Sequence, residues 1–204
     1  MKTTYEKIRP FLQTGDSVFF RGKGFVSDFI AFFCKWSHYG KIIRRGDRVL
    51  LLEATTLVYG KHNDNPTPYS SRFKGVRLLP FSKVLKEYNG RIGIRRLSMI
   101  RTGYYDTLAE DFIKREIGKP YERHAIELVS CQIDNVDWYK KIDNADRFCL
   151  ELGAAFDMNW KILSSYTPAN EYSFADYLEG GYVDEHLMFN FGNDVKYLPM
   201  EMIK

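Results

Sequence analysis

The chain has 204 residues, 45% of them hydrophobic and 16% aromatic, which is enough for one sizeable core and excludes an intrinsically disordered chain. Thirty lysines and arginines against 26 aspartates and glutamates leave a net charge of +4, too small to argue for nucleic acid as a partner. The charge is uneven, because residues 170–204 carry seven acids and two lysines, so a tail of −5 follows a body of +9.

In chain order, Gly15-Asp16 opens a strand predicted over 17–21. Gly22-Lys23-Gly24 turns the chain, and Val26, Phe29, Ile30 and Phe33 recur at the spacing of a helix over 25–33. Extended runs at 38–43 and 48–54 flank Arg44-Arg45-Gly46-Asp47 and predict a hairpin. Residues 60–71 have loop chemistry, with two prolines among Asn, Asp and Ser. Further strands are predicted over 76–80 and 91–97, around a short helix at 81–88. A helix over 105–117 stops at Gly118, and another over 147–159 follows Asp143-Asn144-Ala145-Asp146, which supplies its N-cap. Strands and helices in separate blocks predict an α+β fold with an antiparallel sheet packed against helices. The expectation is a single domain over 1–204, with 170–204 a packed acidic and aromatic C-terminal extension.

Several chemistries lack their signatures. H-E-x-x-H, the phosphate-binding G-x-x-x-x-G-K-[ST], G-x-G-x-x-G and G-x-S-x-G are all absent, and Arg21-Gly22-Lys23-Gly24 reads as a turn. His38, His62, His124 and His186 lie far apart and none pairs with a cysteine at zinc-ligand spacing, so no metal and no organic cofactor are expected. Cys34, Cys131 and Cys149 form no C-x-x-C pair, which argues against a disulfide framework and for a reducing compartment. The N-terminus has no apolar secretory segment, and the longest apolar run, 29–34, is far short of the roughly 18–20 residues of a membrane span. A cytoplasmic, unprocessed protein with no integral membrane span is expected, with delivery by a phage particle as the other route to an outside substrate.

What remains is a thiol nucleophile with a histidine base. With Asp146 as N-cap, Cys149 is the third residue of its helix, where unpaired N–H groups and the macrodipole favour a thiolate. Gly153, one turn on, leaves room for an approaching group, while Phe148, Leu152, Ala155 and Phe156 form the core stripe. The competing reading is a small buried hydrophobe, the commonest role of a free cysteine. A hairpin symmetric about Arg45-Gly46 sets His38 directly opposite Glu53, with Cβ atoms about 4.5–5.5 Å apart. A carboxylate there fixes the imidazole tautomer and steadies the imidazolium. The alternative is a polar cross-strand pair with a packing role only. Lys35, Lys41, Arg44, Arg45 and Arg48 against Asp47 make this hairpin basic, which reads as a solvated tip in preference to an anion-binding patch.

Seven short segments, in order, carry a family resemblance: Gly15-Asp-Ser-Val-Phe-Phe20, Trp36-Ser-His-Tyr-Gly40, Leu52-Glu-Ala54, Ile94-Arg-Arg-Leu97, Ile117-Gly-Lys-Pro-Tyr121, Phe148-Cys-Leu-Glu151 and Thr167-Pro168. In these the chain resembles the circularly permuted, papain-fold branch of the NlpC-type superfamily, the YiiX-like proteins, and more distantly the lecithin retinol acyltransferases. The resemblance implies a permuted papain-like fold with the nucleophile on a helix N-terminus. It implies Cys149 as nucleophile, His38 as general base and Glu53 as the residue that orients the histidine, with Tyr121 and Ser37 lining the site. Leu150 stands where the family commonly has serine, and the tail after Tyr177 is outside the resemblance. The implied activity is a thiol hydrolase, an amidase or cysteine peptidase, working on a cell-wall peptide or another peptide-like amide through an acyl-thioester. Two alternatives stay open: a lipid acyltransferase or phospholipase-like enzyme taking an acyl substrate, with Trp36, Tyr39 and Tyr121 along its groove, and a non-catalytic binding or virion-associated protein that keeps the fold.

Overall fold

A computed structural model describes residues 4–22, 36–58, 65–121, 148–188 and 195–204. The helix expected over 25–33, Cys34, Cys131 and the expected cap at 143–146 lie outside these residues.

The first described elements are helix α1 (Thr4–Ile8) and a 3-10 turn at Arg9–Phe11. Strands β1 (Ser17–Gly22), β2 (His38–Arg45), β3 (Arg48–Thr55) and β4 (Gly75–Pro80) follow. Next come α2 (Phe81–Glu87), β5 (Gly90–Arg95), the two-residue β6 (Leu97–Ser98) and α3 (Gly103–Glu116). The last described elements are α4 (Cys149–Asn159), α5 (Tyr182–His186), β7 (Lys196–Tyr197) and β8 (Glu201–Met202). Six strands form one sheet in the order β4-β3-β2-β1-β5-β8, every pair antiparallel, and β6 pairs with β7 apart from it. The fold is therefore mixed α+β, with an antiparallel sheet packed against helices.

Strand alternation divides the core into two layers. Phe19, Tyr39, Ile43, Leu52, Ala54, Val76 and Leu78 face α3, α4 and the tail residues Tyr172, Phe174, Tyr177 and Val183. Val18, Phe20, Ile42, Leu51 and Leu79 face the other way, against Ile8, Phe81 and Val84 of α1 and α2. The sheet is thus covered on both faces, which is why its central strands are nearly continuous in apolar residues.

Two boundaries differ from expectation in ways that matter below. The hairpin closes on the two-residue turn Gly46-Asp47, with Arg45 paired to Arg48 and Lys41 to Leu52. Its register is offset by two residues from the symmetry about Arg45-Gly46, so His38 and Glu53 are diagonal neighbours and not directly opposed. An even offset keeps both side chains on the face they were expected to share, whereas an odd one would have separated them. The helix expected from 147 starts at Cys149, with Phe148 as N-cap, so Cys149 is its first residue and not its third.

Candidate active site

Each side chain of the site comes from the end or middle of a regular element. His38 is the first residue of β2, Glu53 lies near the end of β3, and Cys149 opens α4. By alternation, His38 and Glu53 share the face of Phe20, Ile42 and Leu51, while the body of α4 packs on the opposite face. The helix meets the histidine at the end of the strand.

The Nε2 atom of His38 lies 2.7 Å from Oε2 of Glu53, with both side chains buried. The Cys149 thiol, only 5% exposed, is hydrogen-bonded to the same imidazole. Burial by itself would push the imidazole down. The hydrogen bonds to Cys149 and Glu53, with the negative charge of Glu53, outweigh burial and raise its pKa to about 9. The ring of Phe20 stands 5.2 Å from the imidazole, and Tyr88 packs edge-on against Phe20, so the histidine is walled on its apolar side.

Gly40 explains how a diagonal pair closes to hydrogen-bond distance. It stands opposite Glu53, where a Cβ would lie 2.8 Å from Leu51 Cδ1, 2.9 Å from the Leu52 carbonyl oxygen and 3.4 Å from the Glu53 Cβ. With only hydrogen there, the Glu53 side chain can lean across to His38.

At the helix start, the Phe148 N–H donates to the Glu151 carboxylate at 3.3 Å, half of a capping box. The first intrahelical bond recorded runs from the Leu152 N–H to the Phe148 carbonyl. The N–H groups of the first turn, that of Cys149 among them, lie at the open end of the helix, as first-turn amides do.

The space expected at Gly153 is not open. A Cβ there would stand 2.2 Å from Cε1 of Tyr39, so the glycine admits that ring and locks α4 onto β2. Tyr39 and Trp36 are core side chains, at 0% and 1% exposure, and not the walls of a groove. Ser37 is half-buried and tied to the neighbouring strand: its N–H and hydroxyl both donate to the Phe20 carbonyl, at 2.9 and 3.4 Å. Tyr121 is half-buried against the core cluster that contains Cys149. A cavity of about 390 Å³ lies on the far side of α4, lined by Phe112, Glu116, Glu151, Ala155, Met158 and Pro168 among others, and Cys149 is not part of its wall.

The basic hairpin has the expected exposed tip at residues 45–48, but Lys41 is internal, and Lys35 lies outside the described residues. Lys41 is buried and ion-paired with Asp157 at 2.8 Å, Arg44 donates to the carbonyls of Arg9 and Leu12, and Arg45 pairs with Glu110. These three cations are therefore committed to partners within the chain.

One residue of the site escaped the sequence. Arg77, on β4 directly opposite Glu53, is fully buried and donates from Nε to Glu53 Oε1 at 2.9 Å, with Nη2 also 2.9 Å from that oxygen. A lone arginine inside the apolar run Val76–Pro80, next to a strand with a lone glutamate, was the available signal.

Among the described residues no group of three or more His, Cys, Asp or Glu could hold a metal ion, and no helix is long and apolar enough to cross a membrane. Neither a protein-family model nor a curated protein matches the sequence. Among solved structures the chain is similar to the metalloprotein yiiX from Escherichia coli O157:H7, at 19% identity with a TM-score of 0.48. The match covers 72% of this chain and 66% of that one, so the chain spans just under two thirds of that protein's length.

Proposed function

We propose that this chain is a cysteine-dependent hydrolase of amides or esters, an amidase or peptidase of permuted papain-like type, with Cys149 as nucleophile, His38 as base and Glu53 orienting the imidazole. The observation that carries the reading is the hydrogen-bonded series from the thiol of Cys149 through His38 to the buried carboxylate of Glu53. A thiol that was only a core hydrophobe would have no need of a buried imidazole against it, nor the imidazole of a buried carboxylate.

In this mechanism the thiol proton already rests on His38, and the thiolate of that ion pair attacks the substrate carbonyl carbon. The Cys149 N–H, with its first-turn neighbours, donates to the developing oxyanion. As the tetrahedral adduct collapses, the imidazolium returns its proton to the leaving amine or alkoxide, and an acyl-thioester remains on Cys149. His38 then removes a proton from water, hydroxide adds to the thioester carbon, and collapse releases the acid and restores the thiol. Glu53 holds the imidazole in the tautomer that both proton transfers require.

The test is the reactivity of the thiol. Iodoacetamide alkylation of Cys149, read by peptide mass spectrometry, should show a midpoint well below the pH of about 8.5 of a free cysteine. The rate at neutral pH should drop at least tenfold in His38→Ala, by the usual size of a lost general base. A midpoint at the free-cysteine value, indifferent to His38, would overturn the reading and leave a binding protein on this fold.

A further inference from the structure

We infer that Arg77 is a positioning residue of this site: it holds Glu53 with one oxygen turned to His38, and its positive charge is what lets a thiolate stand beside a protonated imidazole. The inference rests on the thiol–imidazole reading above.

The geometry separates this role from that of an ordinary internal salt bridge. A structural arginine–carboxylate pair commonly uses the two oxygens side by side in a forked arrangement. Here Nε and Nη2 of Arg77 both address Oε1 of Glu53, and Oε2 is left to His38 Nε2 at 2.7 Å. The guanidinium is itself fixed, because Nη1 donates to the carbonyls of Ser71 at 2.7 Å and Phe73 at 3.0 Å. Arg77 and Glu53 also face each other directly across β4 and β3, so the aim of the carboxylate is built into the sheet register. The loop carbonyls hold the arginine, the arginine holds one oxygen, and the other oxygen holds the imidazole.

Charge balance gives the second part of the argument. With Arg77 present, Glu53 is already neutralised, so the thiolate–imidazolium pair adds two opposite charges to a neutral surrounding. Without Arg77, a protonated His38 and Glu53 would neutralise each other, and a thiolate would be an unmatched negative charge in a buried place. Such a charge is costly wherever water is excluded. Removing the arginine therefore opposes formation of the thiolate, although Arg77 touches neither the sulfur nor a substrate.

The experiment measures the pH midpoint of Cys149 alkylation by iodoacetamide in the full chain, for the wild type, Arg77→Met, Arg77→Lys, Glu53→Gln and the Glu53→Gln/Arg77→Met double variant. Arg77→Met should move the midpoint up by about one pH unit or more, a roughly tenfold loss of rate at neutral pH. Arg77→Lys, which keeps the charge, should stay near the wild type. The double variant removes both charges and should return part of the way. A stability role alone would lower the urea midpoint in Arg77→Met while leaving the alkylation midpoint where it was, and that result overturns the inference. If Arg77→Met does not fold, the Glu53→Gln background gives the same reading: the double variant should have the higher midpoint, and equal midpoints overturn the inference. Failure of the underlying reading looks different, since the wild type would then alkylate like a free cysteine.

Discussion

Cys149→Ala should reduce the turnover of p-nitrophenyl acetate, or of any better amide or ester found by screening, by about 10³-fold or more, the usual scale for removing a nucleophile. His38→Ala should cost a similar factor. The double variant should be hardly slower than either single one, because a nucleophile without its base and a base without its nucleophile are equally idle. Additive losses would mean that the two groups act separately, and equal rates in all four proteins would mean that neither is involved. Burst kinetics provide a second readout, since an acyl-thioester that hydrolyses slowly releases one equivalent of nitrophenol before steady state. Circular dichroism should be unchanged by Cys149→Ala, which removes a single sulfur atom from the start of α4.

The largest effects on stability are expected at Lys41 and Asp157. Lys41 is 1% exposed and Asp157 0%, and the ammonium sits 2.8 Å from both carboxylate oxygens. It also donates to Ser17 Oγ at 3.1 Å and to the Gly15 carbonyl, while Tyr177 and Tyr197 donate their hydroxyls to Asp157 at 2.9 and 3.0 Å. Burial lowers the pKa of Lys41, and the Asp157 carboxylate opposes it. Removing either partner strands the other charge where water cannot reach it, at a cost of about 3–5 kcal/mol. Lys41→Met and Asp157→Leu should each lower the unfolding free energy from urea titration by that amount, and the double variant should lose clearly less than the sum of the two. Strict additivity would show that the two charges are not coupled. The pair bridges β2, three residues after His38, and α4, eight residues after Cys149, so either single variant should also slow Cys149 alkylation.

The legible part of this site was the part that local pattern determines. A thiol at a helix start, a histidine ahead of an apolar strand and a glutamate inside one can each be found without knowing the fold. The hairpin register was misjudged by two residues, since Gly46-Asp47 and Arg45-Gly46 offer similar turn chemistry, yet the period of two kept His38 and Glu53 on one face. Other features depended on partners far away in sequence. Lys41 looks like part of a basic hairpin tip until Asp157, 116 residues later, comes to lie against it. Gly153 looks like open space until the Tyr39 ring fills it. Arg77 could have been paired with Glu53, because two isolated opposite charges in neighbouring apolar strands are costly apart and much less so together.

The hydroxyls of Tyr177 and Tyr197 on Asp157 have a consequence for the order in which the molecule becomes complete. A ribosome makes Lys41 early, Asp157 much later and these two tyrosines later still. A nascent chain halted before residue 177 already contains Cys149, His38, Glu53 and Arg77, but its buried carboxylate lacks two of its donors. Arg95 likewise waits for Asp184, its ion-pair partner at 2.8 Å. The sheet and α4 are thus held to their final packing by residues that are translated after them, and unfinished chains carry the groups of the candidate site without the contacts that fasten its framework.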